Sequence, residues 1–313
     1  RRSSDLAKYE PVRLADGKFT GVAVIPPETT DQPVLLYLHG GGGTYTEGIR
    51  GRVPQLPFAA ALGVPGYSIN RPDNLDSVSL NLPTDIDDGF YSASAEALSE
   101  AAEDIWNRHK DSAPGIVLQG CSVGSAIALT LAAQWAEQNA KGEAKWPLLG
   151  VIVADVGYSL RPGVAAALGA APDVMHVDDA LNTVAASLDF GPEWAKDNLE
   201  EGEPLTVPRS EILELVGAWP KHALDIASKI SVPVMYRLGE LDPLWFGDDD
   251  TIAALVAALK TSSPYVDAKT VEGSIHPVFE SRRGHAFTLE TVAFVEFCRA
   301  AAAVPQLLDK SAR

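Results

Sequence analysis

The sequence predicts an α/β fold: a mostly parallel central sheet with helices on both faces and a helical cap inserted into it. Three observations predict it. Short apolar runs at 34–38, 67–70, 116–118, 148–153, 232–238 and 265–271 alternate with segments of helical periodicity. That alternation builds β-α-β units, which pack as a parallel sheet covered on both sides. One such unit, at 116–131, reads as a buried strand, a glycine-bounded turn and an alanine-rich helix with nothing between them. Third, the alternation fails from 157 to 220, where helical pieces, prolines and the acidic run Glu200-Glu201-Gly202-Glu203 replace it.

Taken in order, residues 8–25 alternate about Asp16-Gly17, a hairpin signal, and Pro26-Pro27 closes the pair. The run at 34–38 ends in His39-Gly40-Gly41-Gly42-Gly43. A short helix is expected at 56–62, and a strand at 67–70 leads into Arg71-Pro72. Ala95, Leu98, Ala102, Ile105 and Trp106 recur at helical spacing within 91–110. The strand at 116–118 runs into Gly120-Cys121-Ser122-Val123-Gly124 and a helix reaching Asn139. Beyond the insertion, two more strands and a final helix over 288–302 close the domain. Residues 1–156 and 221–313 thus form one core, and 157–220 a helical cap.

A chain of 313 residues with 46% hydrophobic content can build one large domain with an insertion. Its net charge of −17 and isoelectric point near 4.7 argue against nucleic acid, whose phosphates need a basic surface. No apolar stretch is long enough to span a membrane. Cys121 and Cys298 are the only cysteines, too few for a secreted disulfide framework, which favours a reducing, cytoplasmic compartment. The start, Arg1-Arg2-Ser3-Ser4-Asp5, lacks Met and reads as a trimmed end. Oligomeric state has no signal here.

Ser122 is the candidate nucleophile. So tight a turn strains the serine backbone and lifts its hydroxyl clear, while Gly120 and Gly124 keep neighbours from colliding. The helix behind it turns a positive dipole end toward the hydroxyl. A nucleophilic serine needs a base, an acid to orient that base, and donors for the oxyanion. Chain order puts the acid between serine and histidine. Asp242, just past a buried strand, is the candidate, with Glu240 and Asp155 as substitutes. His276 follows the last strand directly and is the favoured base. His285, nine residues on and just before the closing helix, is the alternative. In the His39–Gly43 run, Gly41 or Gly42 would supply one oxyanion donor and Val123 the other. Neither GxxxxGK[ST] nor GxGxxG follows a strand, so the run does not read as a phosphate loop. Trp245 and Phe246, right after Asp242, are candidate substrate contacts. Leu160, Met175, Leu181, Leu188, Phe190, Trp194 and Trp219 give the cap apolar surface, at a spacing that suits its own core. His109, His176 and His222 lack metal-ligand spacing, and neither metal nor cofactor is expected.

In element order these residues resemble the α/β-hydrolase superfamily over nearly the whole chain. His39-Gly40-Gly41-Gly42-Gly43 looks like the glycine-rich oxyanion loops of lipases and esterases, and Gly120-Cys121-Ser122-Val123-Gly124 like the family's nucleophile elbow. Gly273-Ser274-Ile275-His276, with His285 beyond, loosely resembles a subgroup of microbial hydrolases tied to toxin or secondary-metabolite pathways. Ser274-Ile275 departs from the family's common Gly-x-Gly-His form, which leaves the choice of base open. The resemblance implies a cofactor-free serine hydrolase that cleaves a small-molecule carboxylic ester, lactone or thioester through an acyl-enzyme on Ser122. Two alternatives remain: acyl transfer or cyclisation by the same serine, and a non-hydrolytic binding or lyase-like member of the fold.

Overall fold

The computed structural model describes residues 7–28, 30–50, 53–169, 174–176 and 206–308. Its main sheet holds β1 (Lys8–Leu14), β2 (Phe19–Ile25), β3 (Val34–Leu38), β4 (Gly66–Ile69), β5 (Ile116–Cys121), β6 (Leu148–Ala154), β9 (Val234–Gly239) and β10 (Val266–Val271). A separate pair, β7 (Val174–His176) and β8 (Thr206–Pro208), is antiparallel. The order across the main sheet is β1-β2-β4-β3-β5-β6-β9-β10. The hairpin β1–β2 and the β2–β4 pair are antiparallel, and every pair from β4 to β10 is parallel.

Strand side chains alternate between faces, so a strand buried on both must be apolar throughout. That is why the central runs look continuous. Leu36, Leu38, Leu118, Val151, Val153 and Tyr236 face one core, packed under α2 (Phe90–His109), α3 (Val123–Ala140), α6 (Trp219–Ser228) and α7 (Asp249–Leu259). Leu35, Tyr37, Val117, Ile152, Ala154 and Met235 face the other, under α1 (Gln55–Ala61) and α8 (Gly284–Ala303). Cys121 and Cys298 both lie in this second core as buried free thiols.

The inserted region is expected to be mainly helical. Its described residues contain α4 (Val164–Gly169) and α5 (Arg209–Val216), but also the β7–β8 pair. Three-residue strands are too short to show period-two alternation in sequence. Leu181, Leu188, Phe190 and Trp194 lie outside the described residues. Trp219 starts α6 and is buried in the first core, its indole N–H donating to Gly157 O at 2.8 Å. Among the described residues, no helix is long and apolar enough to cross a membrane.

Candidate active site

The loops that follow the parallel strands converge at one end of the sheet, where α/β folds bind their ligands. β5 ends in the predicted elbow. Ser122 has φ 51° and ψ −121°, a positive-φ conformation rare for a residue with a Cβ, and its side chain sits at the start of α3. Two glycines make the turn possible. A Cβ on Gly120 would lie 2.5 Å from Gly124 O and the Ser125 backbone, and one on Gly124 would overlap the carbonyls of Leu38 and His39. Ser122 N–H donates to Ala154 O at 2.9 Å, and the Ser125 hydroxyl bridges Ala154 O and N at 2.7 and 3.0 Å. The strained turn is thereby fastened to the end of β6. Ser122 is 8% exposed.

After β3, the glycine run lies against this elbow. A Cβ on Gly40 would sit 3.5 Å from Ser122 Cβ, and one on Gly41 would sit 3.4 Å from Val123 Cγ2. Gly40 N–H donates to Glu47 Oε1 at 3.0 Å and Gly43 N–H to Gly40 O at 3.1 Å. Gly42 has φ 68°, which suits glycine. Among the described residues no acceptor is seen for the N–H groups of Gly41, Gly42 or Val123. These are the three amides that the sequence singled out.

The structure brings Asp242 and His276 together. His276 Nδ1 is 2.8 Å from Asp242 Oδ2, with His276 4% and Asp242 0% exposed. The other carboxylate oxygen, Oδ1, accepts the N–H groups of Leu244 at 2.8 Å and Trp245 at 3.1 Å. Arg161 Nε donates to the Asp242 and Trp245 carbonyls and so pins the same loop. Burial lowers the pKa of His276, but the charge and hydrogen bond of Asp242, with Asp155 behind, outweigh it and carry the ring up to about 9. Asp155, at the end of β6, accepts Val278 N–H with both oxygens. Burial above all, and then the charge of Asp242, pushes its carboxyl up to about 7.

His285 stands apart. The closing helix begins at Gly284, four residues earlier than expected, so His285 is an exposed residue of its first turn. Nothing marks that start in sequence, since no side chain caps it. Glu240 is exposed and accepts Gly273 N–H, the work of a turn residue. Trp245 is fully buried, with its ring against Gly157, while Phe246 is partly exposed beneath the Arg161 guanidinium. His109 bonds Tyr67 OH, and His222 makes an exposed pair with Asp88. Asp155, Asp242 and His276 bring potential ligand atoms within 4.8 Å of one another. Of these atoms, His276 Nδ1 and Asp242 Oδ2 bond each other, and both Asp155 oxygens accept Val278 N–H.

Two residues that sequence reasoning passed over flank the glycine run. Glu47 accepts both Tyr37 OH at 2.7 Å and Gly40 N–H. Arg71, fully buried after β4, reaches the His39 and Gly40 carbonyls and Glu211 of α5. A weak signal existed for Arg71 alone, a charged residue directly after a buried strand.

No protein-family model matches the chain, and no curated protein matches it in sequence. Solved structures do. A thermostable carboxyl esterase from Bacillus coagulans superposes with a TM-score of 0.66 at 14% identity, covering 94% of this chain and 99% of that one. A soluble variant of monoglyceride lipase from Saccharomyces cerevisiae gives 0.63 at 15% identity, with 95% and 96% covered. A monoacylglycerol lipase from Paleococcus ferrophilus gives 0.62 at 15% identity, with 93% and 99% covered. These matches lend no support to the narrower likeness to secondary-metabolite or toxin-pathway hydrolases. At such identities the likeness is one of fold, and end-to-end coverage on both sides leaves one conclusion: the chain has the α/β-hydrolase fold.

Proposed function

We propose that the protein is a serine hydrolase that cleaves a small-molecule carboxylic ester through an acyl-enzyme on Ser122. One observation carries the reading. A serine strained at the start of α3, a buried histidine–carboxylate pair and unpartnered loop amides all lie where the parallel strands end. Strain of this kind costs about 1–3 kcal/mol and persists only where the surroundings enforce it. The matched carboxyl esterase and monoacylglycerol lipases act on esters, which favours that substrate class over lactones and thioesters.

In this mechanism Ser122 Oγ attacks the ester carbonyl carbon while His276 Nε2 takes its proton. Asp242 keeps the Nδ1–H tautomer and stabilises the imidazolium. The N–H groups of Val123 and of Gly41 or Gly42 receive the oxyanion. The C–O bond to the alcohol then breaks, and the alcohol leaves with the proton from His276. Water, deprotonated by the same nitrogen, releases the acid and frees Ser122. The described part of the inserted region that includes Val207 and Glu211 would cover this site. Support comes from Val207 and Glu211, whose side chains lie within 4.0 Å of a Cβ built on Gly41.

The test is a fluorophosphonate probe together with p-nitrophenyl esters of graded acyl length. Covalent label on Ser122 and Ser122-dependent release of nitrophenol support the reading. An unlabelled Ser122 and no turnover on any ester would refute it.

A further inference from the structure

Arg71 and Glu211 are both fully buried, although 140 positions separate them. Their contact is bidentate: Nη1 to Glu211 Oε2 at 2.6 Å and Nη2 to Oε1 at 3.0 Å. The same guanidinium donates from Nε to His39 O at 2.9 Å and from Nη2 to Gly40 O at 3.0 Å. Arg71 N–H donates to His39 Nε2 at 3.1 Å, and His39 Nδ1 bonds Gly40 O at 2.8 Å, which fixes the neutral Nδ1–H tautomer. Burial first, and then Arg71, holds the pKa of that ring well below the usual histidine value, so it stays neutral.

This arrangement determines where the loop amides point. A trans peptide directs its C=O and the following N–H in opposite directions. Arg71 draws His39 O toward itself, and Gly40 N–H accordingly points the other way, where Glu47 accepts it. Arg71 also draws Gly40 O, so Gly41 N–H points away from Arg71, and no described residue accepts it. A free amide in a loop of glycines would otherwise sample many directions. Here a planar, five-donor cation sets it, a task to which lysine's single ammonium is unsuited. Glu211, in turn, accepts from the outer guanidinium nitrogens Nη1 and Nη2, and it comes from α5, within the inserted region.

We propose that Arg71 and Glu211 form a positioning pair for the oxyanion loop. Glu211 orients the guanidinium, the guanidinium orients the His39 and Gly40 carbonyls, and these aim Gly41 N–H at the developing oxyanion. Turnover then depends on the seating of α5, although Glu211 itself does no chemistry. The inference rests on the serine-hydrolase reading above.

The experiment reads wild type first, with a p-nitrophenyl ester and the fluorophosphonate probe. Absent turnover and label there would sink the hydrolase reading and this inference with it. Given an active wild type, Glu211→Gln, Arg71→Lys and the double variant Arg71→Met/Glu211→Leu are compared. Removing one partner leaves a buried unpaired charge that endangers folding; the apolar double change avoids that. The readouts are kcat and KM per folded molecule, and Ki for a trifluoromethyl ketone, which adds to the serine as a tetrahedral oxyanion. We expect kcat to fall about 10–100-fold in Glu211→Gln and about 10²–10³-fold in the double variant, the range for a lost oxyanion donor. KM should stay close to wild type, and ketone affinity should weaken in step with kcat. Glu290→Gln is the control: it loosens another buried arginine, Arg237, and should cost stability without lowering kcat. A folded double variant with wild-type kcat and Ki would overturn the proposal. So would activity lost only in proportion to folded protein.

Discussion

Gly124→Ala is a severe test of the elbow, because one methyl group must break the site without touching a reacting atom. A Cβ at Gly124 would lie 2.8 Å from the Leu38 carbonyl carbon and closer still to the Leu38 and His39 carbonyl oxygens. Carbon atoms in contact sit about 3.5–4.0 Å apart, so α3 must retreat from the end of β3 by about 1 Å. The obstacle is backbone on both sides, and no side-chain rotation relieves it. Retreat pulls Val123 N–H away from the glycine run, and with it one proposed oxyanion donor from the other. A misplacement of about 1 Å costs about 10²-fold in rate, and overpacking of this kind costs about 1–3 kcal/mol of stability. Gly142→Ala is the comparison, since Gly142 also has positive φ (73°) but nothing within 4 Å of its Cβ. It should lose about 1–2 kcal/mol for the left-handed backbone and no activity per folded molecule. Thermal melts and kcat/KM on one p-nitrophenyl ester separate the two effects. A folded Gly124→Ala protein with near wild-type kcat/KM would refute the claim that the elbow and glycine run act as one unit.

Further outcomes follow from the same geometry. Ser122→Ala should lower ester turnover by about 10³–10⁶-fold with the fold intact, as steady-state kinetics and circular dichroism would show. His276→Ala should abolish acylation while His285→Ala leaves it nearly unchanged; the reverse pattern in probe labelling would move the base to His285. His276 must be neutral to act, and Asp242, Asp155 and Glu47 face it as negative groups, so activity should rise with pH along a limb above the ordinary histidine value of about 6.5. Asp155→Asn removes one of those charges and should shift the limb to lower pH; a limb unmoved in the kcat/KM profile contradicts the assignment. The folded pKa of Asp155 is raised to about 7, so its contribution to stability is complete below its unfolded value and is lost as pH rises toward 7. Melts of Asp155→Asn should therefore fall less than wild type over that window. Cys121 is buried and burial raises its thiol well above the usual range, so thiol reagents should leave it unmodified until the protein unfolds.

The parts legible in sequence were those written in short-range patterns. The runs of β3, β5 and β6 announced strands because both their faces are buried. The elbow announced itself because its glycines answer to backbone contacts within a few positions and to the neighbouring strand. Strand context and chain order together pointed to Asp242 and His276, with His285 left open, and loops at the ends of β9 and β10 bring the first two into contact. What escaped was long-range or weakly encoded. The β7–β8 pair is too short for a periodic signal. Helix α8 starts on a glycine without a capping side chain. The Arg71–Glu211 pair went unread, because charged residues are seldom fully buried and nothing local names a partner so far along the chain.

The residues that broke local expectation share a place. β5 and β6 are neighbours, and each is followed by a non-glycine residue of positive φ, Ser122 at 51° and Asp155 at 64°. Positive φ is rare for serine and only tolerated by aspartate, so outside contacts help hold both. For Ser122 the enforcement is the Ser125 bridge to Ala154 and the glycine contacts with β3. For Asp155 it is the bond from its own N–H to Arg237 O and the Val278 N–H on its carboxylate. Both sets of bonds tie one strand end to the next, so the strain is shared along the edge. An edge built this way resists small rearrangements, since freeing one turn removes the support of its neighbour. That rigidity suits a site whose donors must already be aimed before charge develops. It also explains why the polar braces are buried: in a dry setting a hydrogen bond is stronger, and an unpaired partner costs more, so a fully satisfied network has few alternative arrangements.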